Sequence, residues 1–320
     1  MENETQAQSA IATMANPVSN APVKKAPLKY VLISPARNEE DFIELTIKSV
    51  IKQTVLPLRW VIVSDGSTDR TDEIAAKYAK EYDWIDFTRM PERTERDFAG
   101  KVGCFNAGFA RVKDLDYDIV GSLDADISFD EEYFEFLLGK FAEDPKLGLA
   151  GTPFREDGAT YDFRFSSTEH VSGACQLFRR ECFKAIGGYV PVKGGGIDVI
   201  AVLSARMRGW RTQTFIQKSS LHHRPMGSAN NKGKVAAAFK LGRTQYCLGF
   251  HPLWQSFRSV YQMTKRPYVT GGIALFAGYF WAMFRRVKRP IGNDLVEFQR
   301  TDQMKRLRAF FRMRVLRRSA

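Results

Sequence analysis

Short apolar runs rich in β-branched residues alternate with segments of helical periodicity between about residues 29 and 147. The strand-like runs cover residues 30–33, 60–63, 85–87 and 118–123. Buried parallel strands have this composition, and helices normally connect them. The alternation therefore predicts an α/β fold with a mostly parallel sheet and helices on both faces. In such sheets ligands bind at the carboxyl ends of the strands, so we expect the functional residues there.

Three of the predicted strands end in polar motifs that carry carboxylates. The motifs are SPARNEE at 34–40, SDGSTD at 64–69 and SLDAD at 122–126. In the last motif the small Ala125 separates Asp124 from Asp126, and strand alternation places both carboxylates on one side of the backbone. Hard oxygen ligands of this kind suit Mg²⁺ or Mn²⁺. Each motif alone also has an ordinary structural explanation, because acidic loops cap helices and Asp-Gly favours turns.

Several common classes of protein lack support in this sequence. Neither GxGxxG nor GxxxxGK[ST] is present, which removes the main evidence for a dinucleotide-binding or P-loop protein. The four cysteines include no CxxC pair, and this favours a reduced, intracellular chain over a disulfide scaffold. The first residues lack the apolar core of a secretory signal.

Two further segments complete a set of motifs in a characteristic order. They are GKVGCFNAG at 100–108 and GACQLFRRECFKAIGGY at 173–189. Together with the three strand-end motifs, they resemble the family 2 glycosyltransferases, whose nucleotide-sugar-binding domain has the GT-A fold. The resemblance runs from about residue 28 to residue 223.

The resemblance implies a role for each matching position. The nucleotide-sugar would be contacted by residues at the strand ends and on the following segments. These are Pro35, Ala36, Arg37, Glu39, Asp65, Lys101, Asp124 and Ala125. Asp65 would hydrogen-bond the base, with Lys101 nearby. Asp126, with Asp124, would coordinate Mn²⁺ or Mg²⁺, and the cation would bridge the donor diphosphate. Gly173, Ala174 and Trp210 would lie on the acceptor side.

The expected catalytic base stands in a segment that departs from the family pattern. The family usually carries an acidic pair there, whereas this chain has Ile197 followed by Asp198. The resemblance implies that Asp198 is the general base, which must be ionised to accept the proton of an acceptor hydroxyl. An alternative is that Asp198 only caps the helix that follows.

Adjacent histidines, His222 and His223, follow a short strand-like run and are candidates for a further metal ligand. A neutral imidazole can join carboxylate oxygens on Mn²⁺. Residues that are adjacent in a strand point to opposite faces, so at most one of the two should reach the metal. The sequence leaves the choice between them open.

The predicted function is that of an inverting, metal-dependent glycosyltransferase of bacterial cell-surface polysaccharide synthesis. It would move a sugar from a nucleoside-diphosphate sugar, most simply a UDP-sugar, to a hydroxyl of a saccharide or polyprenyl-linked acceptor. The chain lacks the QxxRW motif of the family's processive synthases, which favours a single transfer. The alternative function is a non-catalytic nucleotide-sugar or glycolipid-binding subunit of a membrane assembly, for which the missing acid at Ile197 is the support.

The C-terminal third of the chain suggests contact with a membrane. Residues 268–284 carry no charge, and residues 285–320 hold 12 basic and 3 acidic residues, or +9 of the total net charge of +12. Seventeen residues are at the lower limit for a span, so a re-entrant or in-plane helix, a span and a buried core helix all stay open. Met304, Leu307, Phe311 and Val315 form the apolar stripe of a basic amphipathic helix, expected on an anionic membrane surface. The alternatives are a solvated tail or a dimer contact. Nucleic-acid binding is not expected.

These expectations divide the chain into three parts. Residues 1–27 would form a disordered leader, 28–223 a GT-A nucleotide-sugar-binding and catalytic domain, and 224–320 a helical, basic, membrane-interacting extension. The predicted location is the cytoplasmic face of the inner membrane, with peripheral or re-entrant attachment.

Overall fold

The computed structural model of the chain describes residues 28–93, 98–156, 167–224 and 233–316, with side chains up to residue 312. The predicted leader and the side chain of Val315 lie outside these ranges. In chain order the strands are β1 (Tyr30–Ala36), β2 (Arg59–Ser64), β3 (Ile85–Arg89), β4 (Ile119–Leu123), β5 (Ile127–Ser128), β6 (Leu147–Gly151), β7 (Phe154–Arg155), β8 (Cys175–Arg179), β9 (Arg211–Thr214) and β10 (Ser220–His222). The helices are α1 (Ile43–Ile51), α2 (Thr71–Glu81), α3 (Phe98–Val112), α4 (Tyr133–Glu143), α5 (Arg180–Ile186), α6 (Ile197–Met207), α7 (Lys234–Cys247), α8 (Pro252–Gln262), α9 (Thr270–Phe284) and α10 (Asn293–Leu316).

A seven-stranded sheet in the order β3-β2-β1-β4-β8-β6-β9 forms the centre of the fold. Its strands run parallel except for β8, which is antiparallel to both β4 and β6. The predicted α/β fold with a mostly parallel sheet is therefore confirmed. Because β8 is reversed, it begins where β4 ends, with Cys175 paired to Leu123. This reversal brings the segment before β8 to the carboxyl edge of the sheet.

Alternate residues of the central strands build a core on each face of the sheet. On β1, Val31 and Ile33 pack in the same cluster as α3 and α6, whereas Tyr30 and Leu32 pack with α1 and α4. The period of two follows from strand geometry. Because both sets are buried, the strand appears in the sequence as an unbroken apolar run.

A second sheet of three short strands, ordered β5-β10-β7, lies beyond the end of β4. The pairing between β5 and β10 is antiparallel and sets His222 opposite Ile127. β7 runs parallel to β10 on its other side. This small sheet joins segments of the chain that are almost a hundred residues apart.

The C-terminal helices pack on each other and on the α/β body. α9 lies against α7 and α8, while α10 lies against α6 and α8. The charge-free stretch predicted from residue 268 becomes helix α9, half of which is buried. Among the described helices, none has both the length and the hydropathy needed to cross a bilayer.

The apolar stripe predicted on the last helix is only partly available to a membrane. Leu307 is buried in the protein and Met304 is half-buried, whereas Phe311 is exposed. The prediction that Leu307 faces a membrane is therefore wrong. The reason is that α10 uses this side to pack on the body, where Asp302 accepts a hydrogen bond from Arg206 of α6 at 2.9 Å.

Candidate functional site

Three neighbouring parallel strands deliver polar residues to one edge of the sheet. β1, β2 and β4 end at Ala36, Ser64 and Leu123, and Arg37, Asp65 and Asp124 follow directly. The backbone N–H of Asp65 donates to the Ala36 carbonyl at 2.8 Å, so the two strand ends stay in register. The side chain of Ala36 is buried in the core, as is that of Ala125. Only their backbones can therefore meet a ligand.

Asp65 is held by two guanidinium groups. Arg93 donates to both of its oxygens, from Nε to Oδ1 at 2.9 Å and from Nη2 to Oδ2 at 2.6 Å, and Arg37 Nη1 lies 3.4 Å from Oδ2. The guanidinium of Arg93 rests on Gly100, where a Cβ atom would overlap it. Burial, with the Asp65 charge beside it, raises the pKa of the Cys104 thiol to about 12.

Lys101 pairs with Asp124 rather than lying at Asp65. The two form an ion pair at the end of β4, and the Asp124 N–H donates to the carbonyl of Ala174 at 2.9 Å. Burial raises the pKa of the Asp124 carboxyl; Lys101 opposes that shift and the Asp126 carboxylate adds to it. The Lys101 ammonium therefore offsets part of the charge that these two carboxylates share.

His222 lies beside Asp126 because of the small sheet. Its Nε2 is 3.6 Å from Asp126 Oδ2, and its Nδ1 is 3.2 Å from Oε1 of Glu156, which follows β7. His223 points to the other face, where Nε2 is 2.9 Å from Ser128 Oγ and the ring stacks on Phe42. Of the two histidines, the structure thus brings His222 to the Asp126 carboxylate.

The described side chains include no group of three or more His, Cys, Asp or Glu residues arranged to hold a metal ion. Asp126 and His222 nevertheless offer an oxygen and a nitrogen 3.6 Å apart, a separation that two ligands of one cation can have when each bond is about 2.1 Å. Within the described ranges, Arg224 Nε is buried without a hydrogen-bond partner, and His222 Nδ1 has only the Glu156 carboxylate within 3.2 Å. The residues present therefore fit a cation that takes its other ligands from phosphate and water.

Arg224 connects the first strand end with Asp126. Its Nη2 donates to Glu39 Oε2 at 2.6 Å and to the Asn38 carbonyl at 2.7 Å, and its Nε is 3.8 Å from Asp126 Oδ2. Glu39 is buried by this contact. Arg224, Glu156 and Arg93 were not predicted from the sequence. For Arg224 a signal exists, because it follows the two histidines directly.

Asp198 is the second residue of α6, and the N-cap residue is Gly196. Because glycine has no side chain, the N-cap residue makes no side-chain hydrogen bond to the start of the helix. The alternative that Asp198 only caps this helix is therefore wrong. Gly173 lies against it, since a Cβ atom there would be 3.2 Å from Asp198 Cβ. The charge of Asp198 also raises the pKa of Lys101, though less than Asp124 does. Ile197, which replaces the family's first acid, is buried in the core.

Trp210 lies at the opposite edge of the sheet. It precedes β9, whose first residue, Arg211, pairs with Leu147 at the start of β6. Its side chain packs against Gly148, where a Cβ atom would be 2.7 Å from Trp210 Cβ. The expectation that Trp210 lies with Gly173 and Ala174 is therefore wrong, because α6 carries the chain from the carboxyl edge back to the amino edge.

A mostly parallel α/β sheet with polar residues beyond the carboxyl ends of its strands defines a class of protein that binds its ligand at this edge. The model of the family described as glycosyl transferase family 2 matches residues 31–196. The chain belongs to this family.

Curated relatives share part of the chain. The poly-β-1,6-N-acetyl-D-glucosamine synthase of Staphylococcus aureus strain MSSA476 is 34% identical over 136 residues, which are 42% of this chain and 31% of that protein. The synthase of the same name from Staphylococcus epidermidis is 25% identical over 170 residues, 47% of this chain and 39% of that protein. The chain thus spans about a third of the length of these relatives.

Solved structures share the fold. A mannosyltransferase from Pyrobaculum calidifontis in complex with GDP-Man and Mn²⁺ superposes with a TM-score of 0.53 at 18% identity, covering 81% of this chain and 74% of that one. Residues 1–349 of Staphylococcus aureus TarS in complex with UDP-GlcNAc give a TM-score of 0.52 at 14% identity, covering 82% and 74%. The mostly parallel α/β architecture is therefore that of GT-A glycosyltransferases.

Proposed function

We propose that the protein transfers a single sugar from a nucleoside-diphosphate sugar to a hydroxyl of a saccharide or polyprenyl-linked saccharide, with inversion at the anomeric carbon. The observation that carries the proposal is the convergence at one sheet edge of Asp124, Asp126, His222, Lys101 and Asp198. Relatives named as polysaccharide synthases support a role in cell-surface polysaccharide synthesis.

The donor side of the site is the edge formed by β1, β2 and β4. Pro35, Arg37 and Asp65 would meet the nucleoside, although Asp65 already accepts from Arg93 at both oxygens. Lys101 would lie near the diphosphate, because its ammonium is at the end of β4 beside Asp124. Arg224 adds a planar guanidinium, the group best shaped for phosphate oxygens.

Asp126 and His222 would hold the divalent cation, either Mn²⁺ or Mg²⁺. Such a cation neutralises charge on the departing diphosphate. The mannosyltransferase structure with GDP-Man and Mn²⁺ supports a divalent cation of this kind. Asp124, paired with Lys101, would contact the ribose or the cation.

Asp198 would act as the general base. As the acceptor hydroxyl attacks the anomeric carbon, a bond forms between the acceptor oxygen and that carbon. The bond from that carbon to the phosphate oxygen breaks, and its electron pair leaves with the nucleoside diphosphate. The hydroxyl proton passes to the Asp198 carboxylate. Asp198 lies in the first turn of α6, close to where the acceptor hydroxyl would be presented beside Gly173.

We also propose the division of the chain predicted from its sequence, with catalysis in residues 28–223 and membrane attachment in residues 224–320. A lipid-linked acceptor would then be presented at the cytoplasmic face of the inner membrane. The support is the exposed apolar and basic surface of the C-terminal helices, whose exposed side chains include Phe276, Phe284 and Phe311.

A transfer assay tests the proposal. The protein is incubated with UDP-GlcNAc or GDP-mannose, Mn²⁺ and a saccharide acceptor, and both nucleotide release and the anomeric configuration of the product are measured. We expect an inverted product from one donor and none from Asp198→Asn. Asp83→Asn, an exposed carboxylate before β3 at the other edge, is the matched control. Donor binding without any transfer would instead support a non-catalytic binding subunit. The observation that favours this alternative is the buried Ile197, which stands where the family usually has an acid.

A further inference from the structure

Helix α9 has its small residues buried and its large apolar residues exposed. Gly271, Gly272, Ala274, Gly278 and Ala282 face the protein, and Leu275 and Tyr279 are the large side chains on that side. The exposed side carries Ile273, Phe276, Trp281 and Phe284, and Phe284 is 78% exposed. A surface helix of a protein in water normally has the opposite arrangement, with its large apolar stripe facing the core.

The inward side of α9 needs small residues because the helix backbones touch. A Cβ atom at Gly278 would overlap the carbonyl of Phe239 on α7, and one at Gly242 of α7 would overlap the carbonyl of Leu275. On the α8 side, a Cβ atom at Gly272 would overlap the Ser259 carbonyl. Small residues at helix contacts, with large apolar residues outside, are typical of helices that face lipid.

The preceding helix, α8, shows the same inversion. Its buried side chains are Gln255 and Ser259, whereas Leu253 and Val260 are 59% and 63% exposed. Two consecutive helices therefore turn apolar side chains outward. An apolar surface of this kind on a protein usually marks an interaction site.

The charge around α9 identifies the partner. Residues 199–293 contain sixteen Lys and Arg and no Asp or Glu. Lys265 and Arg266 precede α9, Arg285, Arg286 and Lys288 follow it, and all five side chains are exposed. Binding to an apolar patch on another protein would not require that all flanking charges be positive. Cations at both ends of the helix, without any acidic residue, match anionic lipid headgroups.

Trp281 lies where the apolar and charged zones meet. Its ring has the Arg243 guanidinium at 4.7 Å and that of Arg285 at 5.9 Å. Tryptophan beside cations is characteristic of the headgroup level of a bilayer, since the ring is amphipathic. The 15 residues of α9 extend about 22 Å, too short for a span but suited to an in-plane position.

We infer that the outer face of α9, defined by Ile273, Phe276, Trp281 and Phe284, inserts into the headgroup–acyl boundary of an anionic bilayer, with the helix parallel to the membrane. The inference rests on the proposed membrane location and not on the transfer reaction. Apolar insertion and headgroup attraction together give reversible binding that depends on anionic lipid.

Sedimentation of the full-length protein with lipid vesicles tests the inference. Vesicles of phosphatidylcholine alone are compared with vesicles that also contain phosphatidylglycerol. The variants are the pair Phe276→Ser and Phe284→Ser, the pair Arg285→Gln and Arg286→Gln, and as control the pair Leu56→Ser and Leu58→Ser, which are exposed between α1 and β2. Unchanged thermal unfolding and nucleotide stabilisation show that each variant is folded.

We expect the full chain to bind only the anionic vesicles. Loss of the two phenylalanines should weaken binding about tenfold or more, since complete transfer of one Phe side chain from water contributes about that factor and both side chains are already partly buried. Loss of the two arginines should weaken binding and reduce its salt dependence, and the leucine control should bind normally. Anionic vesicles should shift the Trp fluorescence of the wild-type chain to the blue, but not that of the phenylalanine variant.

Two contrary results have different meanings. If the wild-type chain ignores anionic vesicles, both the membrane location and the role of α9 are refuted. If the wild-type chain binds but the phenylalanine variant binds equally well, only the role of α9 is refuted. A change from dimer to monomer in that variant, with vesicle binding intact, would show that a second copy of the chain covers this face.

Discussion

His222 Nε2 lies 3.6 Å from Asp126 Oδ2, across the pairing of β5 with β10. The two residues are 96 positions apart in the sequence, and the small sheet is what unites them. One backbone hydrogen bond, from His223 N–H to the Asp126 carbonyl at 2.9 Å, fixes this register. The position of the pair is therefore set by the backbone pairing of the small sheet.

The first prediction concerns the cation. We expect Asp126→Asn to remove most transfer activity. His222→Ala should raise the Mn²⁺ concentration required for half-maximal activity by about a hundredfold or more, because loss of a group that only orients a ligand already costs about ten- to a hundredfold. The measurement is a Mn²⁺ titration of the transfer rate. His223→Ala is the control, because its ring faces Ser128 and Phe42. Equal metal requirements in the two histidine variants would contradict the assignment.

The second prediction separates chemistry from binding. Asp198→Asn should lower kcat by about 10²- to 10⁴-fold, the usual contribution of a general base, while thermal stabilisation by the donor nucleotide stays as in the wild type. The paired measurements are kcat and nucleotide-dependent melting. Normal turnover by Asp198→Asn would rule out its role as the base.

A third prediction uses the contact between Gly173 and Asp198. A Cβ atom added by Gly173→Ala would be 3.2 Å from Asp198 Cβ, so one of the two must shift by a few tenths of an ångström. We expect kcat to fall about tenfold or more, because small displacements of a catalytic group are costly, with donor binding unchanged. Gly103→Ala, at a site with open space around it, is the matched control. An unaltered kcat in Gly173→Ala would mean that the position of Asp198 is not critical.

The fourth prediction concerns the attachment of α10. Burial alone would raise the pKa of Asp302, but hydrogen bonds and charge from Arg206 and Arg306 outweigh it, and the pKa of Asp302 is lowered. Asp302→Asn should therefore reduce the free energy of unfolding at pH 7 by about 1.5–3 kcal/mol, the range for hydrogen bonds to charged groups.

The pH dependence of that loss follows from the direction of the shift. A group whose folded-state pKa is depressed stabilises the fold above its unfolded pKa, near 4 for Asp, and this contribution is lost as the pH falls through the folded-state pKa. Urea unfolding of wild type and Asp302→Asn from neutral pH downward should thus show a difference that shrinks below about pH 4. A difference that is constant with pH would contradict the ion pair as its cause.

The strand ends could be predicted from the sequence because their signal is local. The apolar runs before Asp65 and Asp124 identify buried strands, and parallel strands bring their carboxyl ends together. The reversed strand β8 could not be predicted, yet Gly173 and Ala174 reach the edge because of it. A reversal depends on the path of the chain over the sheet, which short motifs do not encode.

The residues that were missed or misplaced depend on long-range contacts. His222 could not be chosen over His223 without the register of β10 on β5. Arg93 lies outside any strand; its guanidinium packs on Gly100, and its carbonyl accepts a hydrogen bond from Arg37 Nη2 at 2.7 Å. Trp210 was misplaced because α6, 11 residues long, extends about 16 Å and ends at the far edge of the sheet. A motif match alone does not tell at which edge of the sheet a residue lies.

The most direct test of the central claim is thermal stabilisation by UDP, GDP, dTDP and CMP, each with and without Mn²⁺, in the wild type and in Asp126→Asn. A ligand at a hundred times its Kd stabilises a protein by about 2.7 kcal/mol, which a melting curve resolves. We predict that one nucleotide stabilises the wild type only with Mn²⁺ and that Asp126→Asn abolishes the effect. Stabilisation by no nucleotide in a folded sample, or by one nucleotide equally in Asp126→Asn, would contradict a metal-dependent nucleotide-sugar site at this edge.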